Sequence, residues 1–135
     1  MTQSSSAANQ RLSTMRRVQL DTALQSIQGE KRFGLYVLVK PEQDPAPRLA
    51  VVQALASRRH WSVALRAVDH TGPADPAGRP QLARLITALR QREIHGIVAP
   101  SRVDISDVDQ EYEAMLHQLR ALHAGLALAR EETVL

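Results

Sequence analysis

The chain predicts an α/β domain in three layers, built on a mainly parallel sheet of about four strands. Short, near-continuously apolar segments such as Leu35–Val39 and Gly96–Ala99 read as strands buried on both faces. Stretches with apolar residues three and four apart read as amphipathic helices. The two kinds alternate along the chain, and that alternation is what a parallel sheet with crossover helices requires.

Residues 1–10 are rich in Ser, Gln, Asn and Ala and are expected to be a disordered tail. From Arg11 to Gln28, Leu12, Met15, Val18, Leu24 and Ile27 recur at roughly helical spacing, and Gly29 supplies the stop. Residues 11–32 are therefore a helical N-terminal extension, and residues 33–135 the domain proper. Phe33–Lys40 is a buried strand. Pro41–Pro47 is a turn, with Asp44 as N-cap of a helix that reaches about His60 and carries Leu49, Val52, Leu55 and Ala56 on one stripe. Trp61–Val68 is the second strand. Residues 69–79 form a Pro- and Gly-rich loop. Pro80–Arg92 is a helix with Leu82, Leu85, Ile86 and Leu89 on one side, and Gly96–Ala99 the third strand. Ser106 or Asp107 caps a helix to about His123, Gly125 breaks it, and Leu126–Arg130 is the fourth strand.

Composition narrows the function. At 135 residues and 44% hydrophobic the chain suits one domain with a proper core. No stretch approaches the ~18–20 apolar residues of a membrane span, and the N-terminus lacks an apolar leader. Cysteine is absent, which excludes disulfides, thiolate metal sites and cysteine nucleophiles and makes the cytoplasm the expected location. The net charge is +3, and fifteen of the seventeen cations are arginine, whose fork suits phosphate. An Arg- and Ala-rich composition also results from GC-rich coding, so charge alone does not define a DNA-binding protein.

Ligands of parallel sheets gather at the carboxyl ends of the strands, here Lys40, Asp69, Ser101 and Arg130–Glu132. His60, His70, His95, His117 and His123 show no metal-ligand spacing, and no metal or cofactor is expected. The 69–79 loop has two glycines and no Lys-Ser/Thr pair, so it is not a P-loop, although Arg79 could hold an anion there. Arg58, Arg59 and His60 end a helix, where cations suit the dipole, with a phosphate patch as the lesser reading. Asp109, Glu111 and Glu113 suit the dipole at a helix start.

Tyr36, Val39 and Gln43 fit the first-strand pattern Tyr-x-Arg-Val-Ser-x-x-x-Gln, with one residue missing before Gln43. Val68-Asp69, then Gly72, Arg79-Pro80-Gln81-Leu82, Ser101-Arg102-Val103 and the closing Leu126–Glu132 come in the matching order. With these pieces the chain resembles the catalytic domain of the serine recombinases (resolvases and invertases), over roughly Phe33 to Glu132. The resemblance implies a resolvase-like fold and splits the expected site. Arg79 and Arg102 match phosphate-binding arginines. Lys40 stands at the nucleophilic serine, Leu38 at a catalytic arginine, Ser101 at an aspartate and Ile105 at the last arginine. The family reaction needs an alkoxide in line with phosphorus and guanidinium groups on the developing charge, so the resemblance implies a degenerate member. Ser101 is the weak alternative nucleophile, and otherwise a strand-end hydrogen-bonder.

The chain also stops short of the long helix and helix-turn-helix that come next in the family. DNA contact is then expected to be non-specific, through phosphates, at Arg79, Arg102 and Lys40. Three functions are open: a DNA-associated or protein-interaction regulatory module, self-associating or not; a divergent site-specific recombinase working with a complete partner; or a domain that shares only the fold and binds a ligand or protein at its strand ends.

Overall fold

The computed structural model describes residues 2–70 and 75–133, with side chains from residue 6 onward. Residues 71–74 of the 69–79 loop, including the Gly72 of the family resemblance, lie outside the described residues. The elements are α1 (Thr2–Gln25), β1 (Arg32–Leu38), α2 (Ala46–Arg58), β2 (Ser62–Asp69), α3 (Pro80–Arg90), β3 (Gly96–Ala99), α4 (Asp109–Ala121) and β4 (Gly125–Leu128). Single 3-10 turns occupy Pro76–Gly78 and Arg102–Asp104. The four strands form one parallel sheet in the order β2-β1-β3-β4, as the alternating pattern predicts.

Strand side chains alternate between two apolar cores, as the pleat requires. Tyr36, Ala67, Ile97 and Leu126 face a core filled by α3 and α4. Phe33, Leu35, Val37, Val98 and Ala127 face a second, closed by Val52, Leu55 and Ala56 of α2. Phe33 stacks on Trp61 with ring centroids 4.0 Å apart. Helices therefore cover both faces of the sheet, which is why β1 beyond Arg32, β3 and β4 are apolar throughout rather than alternating, while the edge strand β2 carries an exposed Arg66.

Helix α1 runs along the free edge of β4 and reaches both layers: Leu12 enters the α3/α4 core and Leu20 the α2 core. Gly125 makes this approach feasible, because a Cβ there would lie 2.8 Å from the Leu20 Cα. An exposed edge strand is a template for unwanted pairing, and α1 covers this one. The helix begins at Thr2, so the polar residues 2–10 continue it instead of forming the expected disordered tail. Extending a helix that is already docked avoids the cost of nucleation, and the Asn9 side chain is held by Arg102.

Boundaries elsewhere differ from the sequence reading by a few residues. Asp44 does not cap α2 from the N-cap position, which is Pro45; its carboxylate instead accepts from the Ala46 N–H at 3.0 Å. Ser106 likewise accepts from the Val108 N–H two residues on, at 2.9 Å, and α4 starts at Asp109.

Helices α2, α3 and α4 end alike. In each, an N–H reaches back five residues, Trp61 to Ala56, Glu93 to Ala88 and Ala124 to Leu119, all at 2.9 Å. The residue just before that donor turns left-handed: His60 (φ 60°), Arg92 (φ 61°) and His123 (φ 57°). Glycine usually occupies this position, since an L side chain there costs about 1–2 kcal/mol.

Candidate functional site

The carboxyl ends of the strands carry most of the molecule's buried charge. Asp69, the last residue of β2, is 2% exposed. Its carboxylate accepts from the N–H groups of Gln81 and Leu82, each at 3.0 Å, and so caps α3 across the loop. It also accepts from the Tyr36 hydroxyl at 2.9 Å. Burial raises the pKa of that phenol well above its ordinary range, so it remains a hydroxyl donor.

Arg79 is also 2% exposed. Its Nη1 donates to the Asp104 carbonyl at 2.5 Å and to the Tyr36 oxygen at 3.4 Å. Asp104 itself is buried in the turn after β3. One carboxylate oxygen accepts from the Leu38 N–H at 3.0 Å. The other is paired with Arg48, which reaches over from the first turn of α2, and accepts from the Ser101 hydroxyl at 3.3 Å.

Arg102 packs its guanidinium on the Tyr112 ring, 4.6 Å from the centroid. Its Nη1 donates to Asn9 at 2.7 Å and Asp109 at 2.8 Å, and its Nε to the Ser106 carbonyl at 3.2 Å. Beyond β4, Glu132 accepts from Arg16 of α1 at 2.6 and 3.1 Å and from the Tyr112 hydroxyl at 2.6 Å. Burial opposes ionisation of Glu132, but the bonds from Arg16 and Tyr112 prevail and hold its pKa below the usual carboxylate value. This network locks α1 to the end of the sheet.

The residues expected at the site thus share one end of the sheet but do not form one surface. Lys40 is exposed; its backbone N–H donates to the Gln43 side chain and its carbonyl accepts from the Gln43 N–H. Ser101 is half-buried beside Asp104, Arg102 is buried against Tyr112, and Arg79 lies beneath the turn that carries Asp104. Leu38 packs against the α3/α4 core and Ile105 lies inside it. Sequence reading placed Asp69 and Glu132 at the strand ends without assigning them partners, and overlooked the acceptor Asp104 and the donors Arg48 and Arg16. A signal existed for Asp104, an acid set between apolar Val103 and Ile105; the partners of Arg48 and Arg16 are remote in sequence and leave none.

No family model matches the chain, and no curated relative does. Solved structures do. The C-terminal catalytic domain of ISC1926 TnpA, an IS607-like serine recombinase, superposes with a TM-score of 0.65 over 73% of this chain and 70% of its own, at 12% identity. The N-terminal catalytic domain of TP901-1 integrase gives 0.65 over 73% and 77%, at 14% identity. A serine recombinase from Sulfolobus solfataricus gives 0.59 over 76% and 70%, at 12% identity. The chain therefore has the resolvase-like fold of serine recombinase catalytic domains.

Proposed function

We propose that this is a recombinase-like domain that no longer forms a phosphoseryl link and acts as an interaction or regulatory module associated with DNA. One observation carries this reading: at the strand ends, internal acceptors already hold the guanidinium groups that a phosphoryl-transfer site would need. Arg48 serves Asp104, Arg79 donates to the Asp104 carbonyl, and Arg102 serves Asp109 and Asn9. Catalysis of this kind depends on donors aimed at developing charge, and here they are aimed inward. Of the phosphate contacts that the resemblance suggests, Arg79, Arg102 and Lys40, only Lys40 faces solvent.

Ser101 favours the second reading, a divergent recombinase, because its hydroxyl donates to Asp104. That carboxylate also serves Arg48 and the Leu38 N–H, so it is not reserved for the serine. Incubating the purified chain with supercoiled plasmid and then denaturing it tests both readings. The expected result is intact plasmid and no protein–DNA adduct. An adduct that disappears in Ser101→Ala would establish the recombinase and end the first reading.

A further inference from the structure

The opposite end of the sheet is charged in a different way. The four strands begin level with one another: Ser62 pairs with Arg32, Phe33 with Gly96, and Gly96 with Gly125. With neighbouring strands about 4.8 Å apart, these starts make a row roughly 15 Å long. Every segment entering the row brings cations: Lys31 before β1 and Arg32 at its start, Arg58 and Arg59 before β2, Arg90 and Arg92 before β3, and Arg120 before β4. The acids among these segments are Glu30 and Glu93 alone.

Arg58, Arg59, Arg90, Arg92 and Arg120 are all exposed, and none is in an ion pair among the described residues. Helix dipoles favour a cation in a last turn, which accounts for Arg58, Arg90 and Arg120. The dipole also suits a cation at the three left-handed positions, but it does not call for a side chain where glycine would relieve strain, and a basic type stands each time: His60, Arg92 and His123. Helix dipoles do not account for Lys31. The field of the row is felt at His95, whose pKa is lowered first by burial and then by Arg32, Arg92 and Lys31.

We propose that this amino-end row is the face that docks on the phosphate backbone of duplex nucleic acid. The inference deepens the DNA-associated reading above and moves the contact away from the strand ends where Arg79 and Arg102 are buried. Arginine forks arrayed along a line match a linear polyanion. All four aromatic residues, Phe33, Tyr36, Trp61 and Tyr112, are buried, so no ring is available to stack unpaired bases; this favours a duplex over a single strand. Among the described residues, the large exposed apolar side chains Val51, Val103 and Val108 lie outside the row, and Val18 meets it only at its β4 end, in a cavity shared with Arg120 and His123, so most of the row offers nothing to insert into a lipid surface. With no helix among the described residues projecting from the row to enter a groove, binding should be indifferent to sequence.

Fluorescence anisotropy with the full chain and two unrelated 30-base-pair duplexes tests this. Both should bind alike. With about four phosphates engaged, affinity should fall roughly a hundredfold between 50 and 200 mM salt. Arg59→Glu with Arg92→Glu should weaken binding at least tenfold more than the charge-matched pair Arg66→Glu with Arg84→Glu, and Arg59→Lys with Arg92→Lys should retain most of it. If the reversed pair unfolds, Arg59→Gln with Arg92→Gln replaces it and should still flatten the salt slope. Equal losses in the two reversed pairs, no binding at 25 mM salt, or binding to phosphatidylserine vesicles but not to duplex would each overturn the proposal. A DNA adduct would refute the non-catalytic reading alone and leave this face to be judged by the anisotropy.

Discussion

The two ends of the sheet use one residue type in opposite ways. At the carboxyl ends, Arg16, Arg48, Arg79 and Arg102 turn inward to carboxylates, carbonyls and a ring. At the amino ends, Arg58, Arg59, Arg90, Arg92 and Arg120 are exposed, with Arg59 alone among them set over a ring, 5.5 Å from the Trp61 centroid. The difference originates in the backbone. Loops after parallel strands lead into helix N-termini, which favour carboxylates such as Asp69 on the free N–H groups of α3 and Asp109 in the first turn of α4, the latter paired with Arg102. Loops before the strands come after helix C-termini, where free carbonyls and the dipole favour cations and no carboxylate is recruited. The first end should therefore matter for stability and the second for binding.

The largest effect should come from breaking the strongest internal pair. Glu132→Ala would leave Arg16, buried under α1, without its carboxylate, and Tyr112 without its acceptor. Removing one partner of a buried ion pair costs about 3–5 kcal/mol. Urea unfolding should show that loss, and hydrogen exchange should show α1 opening ahead of the sheet. A change under 1 kcal/mol would mean that apolar contacts alone dock α1. Asp69→Ala should cost less, about 1–3 kcal/mol, by uncapping α3 and orphaning the Tyr36 hydroxyl.

Acid should weaken the same end first. Because the folded-state pKa of Glu132 lies below its ordinary value of 4.5, its contribution is complete above the unfolded pKa and is lost as pH falls through the folded one. The urea midpoint should thus hold from neutral pH to about 4.5 and fall below it. Glu132→Gln should reduce that fall. An unchanged acid limb in the variant would assign the sensitivity to other carboxylates.

How much of this was legible in the sequence depends on the reach of each interaction. Strand–helix alternation and the apolar stripe Leu82, Leu85, Ile86 and Leu89 are local patterns, and they placed the sheet and its crossovers. The reach of α1 back to Thr2 was not legible, because residues 2–10 carry no apolar period and owe their helix to the docked turns from Leu12 onward. Arg79 and Arg102 were legible as arginines at strand ends but not as buried ones, since burial depends on Asp104, Asn9 and Tyr112, which sequence spacing does not bring together. The amino-end row was half visible in Arg58, Arg59 and His60. Its continuation through Arg92 and Arg120 emerges only when the sheet sets the four strand starts side by side.

The smallest expected effect separates the two ends most sharply. At Arg92 the left-handed backbone (φ 61°) strains an L side chain, and glycine removes that strain at some cost in unfolded-state entropy. Arg92→Gly should therefore raise unfolding stability by up to about 1 kcal/mol while weakening duplex binding and lowering the salt slope by about one phosphate. At the other end of the sheet no loss of a charged group should stabilise the fold. A destabilised Arg92→Gly would mean that this arginine holds the α3–β3 turn together, as its carbonyl's bond from Arg32 would suggest if the side chain also took part. A stabilised variant with unchanged binding would leave the residue with neither role, and the charge of the row would then rest on its neighbours.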